Sequence, residues 1–297
     1  MNAAVHLLVT LVLCMLLVRP LARARWLWRS PRIGILLWQM LMLTWVLCAV
    51  GAAFAIGLGP YGRDIPSALA HWLEGRPAAG FTVPHAVALI AGFALAVGMV
   101  VTLAWSWVRV LRIRRRHRDM LSLVAREDSG LPGVLILDHP LTVAYCLPGL
   151  RARVVLSSGA LSTLSKQELA AVLAHEQTHA RERHDLVLLP FTALRRLVPR
   201  SRLATVADEA VALLVEMRAD EGACRDQSAG SLAQALRRFS RTAVSPPPGA
   251  IGIVDGTVEA RLSRLSRGLD PLSLWVRWLA LVSGVVLVST PLSFLVV

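Results

Sequence analysis

Four long apolar segments constrain this chain before anything else does. They run Ala3 to Val18, Ile33 to Leu58, Val83 to Val108 and roughly Leu274 to Val297. A bilayer offers no water to backbone N–H and C=O groups, so uninterrupted apolar stretches near 20 residues predict transmembrane helices. The composition agrees: 55% of the 297 residues are hydrophobic, too many for an ordinary soluble domain. The first segment is short. Its positive charges follow it at Arg19, Arg23, Arg25, Arg29 and Arg32, whereas a secretory signal carries them ahead of its apolar core, so it reads as a retained anchor.

Charge sets the expected orientation. The arginines after the first segment, and the run Arg109, Arg112, Arg114, Arg115, Arg116 and Arg118 after the third, should face the cytoplasm. Both termini and the loop Gly59 to Thr82 are then extracytoplasmic, and the block from Leu111 to Pro271 is cytoplasmic. The expected domains are a membrane domain over residues 1–110, a cytoplasmic domain over 111–271 and a fourth transmembrane helix over 272–297. A net charge of +13 raises nucleic-acid binding, but most of the excess lies at membrane boundaries, where it sets topology and meets anionic lipid; direct nucleic-acid binding is not expected. The centres of the spans hold no Asp, Glu, Lys or Arg, which argues against a transporter. Cys14, Cys48, Cys146 and Cys224 form no metal or disulfide spacing.

Within the cytoplasmic block, His175, Glu176, Gln177, Thr178 and His179 form an H-E-x-x-H run. Ser165 and Glu168 make an S-x-x-E capping box ahead of Leu169, Val172 and Leu173, predicting a helix from about Lys166 to Arg183. Histidines four apart share a helix face and can place two imidazole nitrogens on one Zn²⁺. Glu176 sits about 100° round the axis, beside the open coordination position, and is the expected general base. Zinc activates a water and polarises a scissile carbonyl, while such a carboxylate takes the proton and returns it to the leaving amine.

The third ligand must come from elsewhere. In a metzincin a glycine three residues after the second histidine turns the chain toward another ligand; those positions here hold Glu182 and Asp185, so the helix is expected to continue and Asp185 to point away. A helix from Ala204 to Cys224 would align Glu209, Glu216 and Asp220 on one face. Glu216 is the better ligand because Asp220, one turn on, can hydrogen-bond a metal-bound histidine; Glu209 stays open. Tyr145, His184 and Arg218 are candidate oxyanion stabilisers. Val134 to Leu137, Thr142 to Cys146 and Arg153 to Leu156 read as short strands, one of which could be an edge that pairs with an extended substrate. Leu186 to Val198 is too short and too charged to span, and fits either the membrane surface or a buried core. Ser245 to Gly249 is a proline-rich linker, and Val258 to Arg267 a basic helix.

The H-E-Q-T-H run, the later E-M-R-A-D at Glu216 to Asp220, and the stretch Tyr145 to Leu161 resemble the BlaR/MecR-type membrane zinc metallopeptidases, and more distantly the HtpX-like proteases. The resemblance implies an α-helical membrane protein with four transmembrane helices and an α+β, zincin-like domain between the third and fourth. It implies zinc on His175, His179 and Glu216, with Glu176 catalytic. Three spans before the zinc helix and one after it follow the BlaR/MecR order; HtpX-like proteases generally place two first. By resemblance the substrate is a BlaI/MecI-type repressor, cleaved after self-cleavage in the basic linkers. The best-known members end in a penicillin-binding sensor domain; antibiotic sensing is not expected of this chain alone, and a separate sensor subunit is a candidate partner. The alternatives are a quality-control protease for membrane proteins and a scaffold with a structural metal site, although a structural site has no need of Glu176.

Overall fold

The computed structural model describes residues 3–62, 64–127, 134–147, 153–242, 251–252, 258–268 and 270–296; the linker expected at Ser245 to Gly249 lies outside them. The chain divides into two compact units. The first comprises Met1–Leu103, Phe191–Ala210 and Leu272–Val297; the second comprises Ala104–Pro190 and Val211–Pro271.

The helices in chain order begin with α1 (Ala3–Arg23), a short 3-10 turn at Arg25–Arg29, α2 (Pro31–Gly57), α3 (Ile65–Leu73) and α4 (Val83–Val124). With α11 (Leu274–Val296), helices α1, α2 and α4 give four of membrane-spanning length and apolarity among the described residues, so this is a multi-pass membrane protein. In the first unit, α1 and α11 both pack on α2. A Cβ at Gly284 would collide with Met40 Sδ, so this glycine is what allows α11 to approach α2 closely. The third apolar segment belongs to a longer helix: α4 runs 42 residues, about 63 Å at 1.5 Å per residue, and includes the arginine run.

The second unit is a mixed sheet with helices on both faces. Its strands are β1 (Ala125–Glu127), β2 (Val134–Leu137), β3 (Ala144–Leu147), β4 (Arg153–Ser157) and the two-residue β5 (Ile251–Gly252). Among the described residues the order is β1-β2-β4-β3-β5, with β2 and β4 parallel and the other pairs antiparallel. Alternation along the strands sorts the core. Val134, Ala144, Val154 and Leu156 face Val172, Leu173 and Phe239, while Leu135, Tyr145, Leu147 and Val155 face Leu121 at the end of α4. None of the three expected strands forms a whole edge. β4 is central, β1 covers β2, and β5 covers β3 at Tyr145 and Cys146. A two-residue strand leaves no periodicity to read, which is why β5 escapes a sequence argument.

Helices α5 (Ser158–Thr163), α6 (Lys166–Arg181), α7 (His184–Leu197), α8 (Arg202–Ala223), α9 (Ala229–Thr242) and α10 (Val258–Arg267) complete the order. The capping box forms: Glu168 N donates to Ser165 Oγ at 3.2 Å, and Ser165 N to Glu168 Oε2 at 2.7 Å. Arg238 of α9 donates to the other Glu168 oxygen at 3.0 Å, tying the start of α6 to α9. Helix α6 ends two residues earlier than its pattern predicts, because Arg183 takes φ +51°, the left-handed conformation that glycine usually supplies after a helix. For a non-glycine residue this costs about 1–2 kcal/mol. It reverses the chain so that α7 starts beside the end of α6. Asp185 then pairs with Arg114 at 2.8 Å, both buried, which removes it as a metal ligand. Pro190 does not break α7, whose Phe191, Ala193 and Leu194 are buried as in a core helix.

Candidate metal centre

Helix α6 packs on β3 and presents both histidines inward; His175 is 1% exposed and His179 fully buried. Their Nε2 atoms lie 3.1 Å apart. Glu216 of α8 closes the group, with Oε2 3.4 Å from His175 Nε2 and Oε1 3.4 Å from His179 Nε2. Three ligand atoms, one from each residue, lie within 4.8 Å of one another. Two imidazoles and a carboxylate form a donor set suited to one Zn²⁺; Glu216 Oε2 makes no well-formed hydrogen bond among the described residues, and its near neighbours are His175 Nε2 and the Arg261 guanidinium.

The approach of α8 to α6 depends on Gly222, where a Cβ would collide with the Thr178 side chain. Thr178 is itself held by its hydroxyl, which donates to Ala174 O at 2.8 Å, so it has little room to yield. Gly222→Val is expected to cost about 1–3 kcal/mol of stability and to weaken zinc binding severalfold by moving Glu216 off the histidines. Thermal unfolding with and without a chelator reads both: the gap between the two curves should shrink, and an unchanged gap would show that α8 tolerates the shift.

Each histidine is oriented from behind. His175 Nδ1 lies 3.0 Å from Asp220 Oδ1. Burial alone would lower the His175 pKa, but Asp220 and Glu216 beside it hold it up at about 9, so metal binding must displace a proton here. His179 Nδ1 lies 2.9 Å from His184 Nδ1, and burial holds both imidazoles below the usual histidine range, hence neutral. The carboxylates follow the same logic. Burial would raise Glu216, but His179 and Arg261 outweigh it and bring it down to about 2; Asp220 is held lower still, chiefly by Arg261.

Glu176 behaves differently. It is fully buried, and neither carboxylate oxygen has a well-formed hydrogen bond among the described residues. Burial, together with the charge of Glu216, pushes its pKa up to about 7 against the opposing pull of His175 and the Cys146 backbone amide. A carboxyl poised near neutral pH suits proton transfer.

The other candidates stand elsewhere. Glu209 lies two turns up α8 and is exposed. Tyr145 lies on the sheet face opposite α6, its hydroxyl 2.8 Å from His117 Nε2. Arg218 is committed to Glu182, at 2.9 and 2.5 Å, and to Glu221 at 3.2 Å. His184 sits behind His179 and not in front of the ligand atoms. Sequence reasoning missed Arg261, a fully buried guanidinium at Asp220 and Glu216. Its only sequence signal is an arginine at an inward position of a short basic helix.

Residues 111–243 match Peptidase family M48, a stretch that holds both histidines and Glu216. No solved structure matches the chain. The His/His/Glu cluster on an H-E-x-x-H helix, within that match and between the third and fourth apolar helices, makes this region an M48-family zinc metallopeptidase domain carried by a multi-pass membrane protein.

Proposed function

We propose that the domain faces the cytoplasm, with both termini outside, and cleaves protein substrates there, its own chain first and then a BlaI/MecI-type repressor in signal transduction. One observation carries the self-cleavage step. Ile251–Gly252 pairs antiparallel with β3 at Cys146 and Tyr145, and Cys146 is the residue whose backbone amide faces Glu176. An extended substrate adds to a sheet edge in this same way, so the chain's own segment occupies the place a substrate strand would take. The arginines of α4 support the orientation. Arg109, Arg112 and Arg116 line one groove with Trp105 and Val108, where anionic lipid headgroups of the cytoplasmic leaflet would be their counter-charge.

In the reaction, bound zinc supplies Lewis-acid activation of water and of the scissile carbonyl. The protein does the rest. His175, His179 and Glu216 would hold the ion, Asp220 and His184 fix the two imidazoles, and β3 aligns the substrate backbone. Glu176 takes the proton from the attacking water and delivers it to the leaving amine nitrogen.

Mass spectrometry of the detergent-purified chain tests the self-cleavage step. Wild type should yield fragments ending near Ile251–Gly252 and Glu176→Gln should stay intact; a cut elsewhere, or cleavage in both, would sink it. Substrate capture by Glu176→Gln in cells tests the signalling role. One repressor captured supports it, whereas many unrelated membrane proteins would make this a quality-control protease.

A further inference from the structure

Arg261 is placed as no ordinary surface salt bridge is. Helix α10 lies along α9, and the Arg261 side chain is fully buried. Its Nε and Nη2 donate to the two oxygens of Asp220 at 2.9 and 2.6 Å, and its Nη1 lies 2.9 Å from Glu216 Oε2. One planar guanidinium therefore spans the third metal ligand and the carboxylate behind His175. Glu216 and Asp220 are one turn apart on α8, so without a cation between them two buried negative charges would repel and turn away from the histidines.

A buried positive charge beside a cation site weakens cation binding by direct repulsion. Its presence is accounted for if what it gains in ligand geometry outweighs that loss. We propose that Arg261 is a positioning residue for the metal centre: it holds Glu216 by one oxygen and Asp220 by both, so that zinc binding depends on α10 staying docked against α8. The inference rests on the zinc-peptidase assignment and adds a dependence that the H-E-x-x-H motif does not contain.

Arg264 provides the internal control. It docks the same helix on α8 through other groups, donating to Met217 O at 3.0 Å and pairing with Glu221 at 3.4 Å. Zinc affinity of the full-length protein in detergent, measured by competition with a chromophoric chelator, tests the idea, with the visible spectrum of the cobalt-substituted protein as a second readout. Arg261→Ala should bind zinc about 10–100-fold more weakly and give an altered cobalt spectrum, while Arg264→Ala stays within about threefold of wild type. Arg261→Lys keeps charge and bulk but lacks the two-pronged geometry, so it should recover only part of the loss. If Arg261→Ala does not fold, the lysine variant decides: affinity equal to wild type overturns the proposal, and a loss with an altered cobalt spectrum supports it. Equal losses in the Arg261 and Arg264 variants would reduce Arg261 to a packing residue and overturn the proposal. A wild type that binds no zinc would instead overturn the metal assignment itself.

Discussion

Replacing Glu176 by glutamine is expected to lower peptide hydrolysis by about 10²–10⁴-fold, the usual contribution of a positioned general base, while about one zinc per chain stays bound. The two halves of that expectation have separate causes. Glu176 is not among the three clustered ligand residues, and glutamine matches its volume at a fully buried position, so the metal cluster should keep its shape. What the amide loses is the capacity to accept a proton. The glutamate is prepared for that task by burial, which pushes its pKa up to about 7, and by two oxygens that no described side chain engages. Metal content by elemental analysis and turnover of a quenched-fluorescence peptide would check this together. Hydrolysis at the wild-type rate would remove Glu176 from the mechanism, and loss of zinc would recast it as part of the binding site.

Much of this site can be read from local sequence because it is built on helix periodicity. The capping box places the start of α6, the spacing of four puts His175 and His179 on one face, and the same spacing puts Glu216 beside Asp220 on α8. The apolar lengths likewise disclose the four spans, since backbone satisfaction in a bilayer leaves few alternatives. What escapes has no period. Arg261 comes 41 positions after Asp220 and reaches it only because α10 folds back, a tertiary event that a ten-residue helix does not announce. Arg183 adopts a left-handed turn without being glycine, so the signal that would mark the end of α6 is missing. Tyr145 carries a hydroxyl of the kind that stabilises an oxyanion. Strand alternation turns it to the other face of the sheet, and only the observed partners show which face that is.

The turn at Arg183 has a chemical consequence that His184→Ala should expose: zinc affinity about 10–100-fold weaker, equivalent to about 1.4–2.7 kcal/mol, with hydrolysis at limiting zinc falling in step. Because both Nε2 atoms converge near Glu216, the proton of a neutral, metal-bound His179 must sit on Nδ1. His184 Nδ1, 2.9 Å away, accepts it. That fixes the His184 proton on Nε2, which lies 3.5 Å from Glu182 Oε2; Glu182 is in turn held by the Arg218 fork at 2.9 and 2.5 Å. Arg218, Glu182 and His184 thus stand in a line that ends on His179 and suits that tautomer, its weakest link the 3.5 Å gap between Glu182 and His184. Alanine at 184 leaves a buried N–H without an acceptor and frees the ring to rotate, so both the basicity and the direction of the ligand nitrogen suffer. Asparagine, whose amide can both accept from His179 and donate toward Glu182, should recover part of the loss. Zinc affinity in the alanine variant equal to wild type would mean that packing alone holds His179, and that the line from Arg218 serves the fold and not the metal.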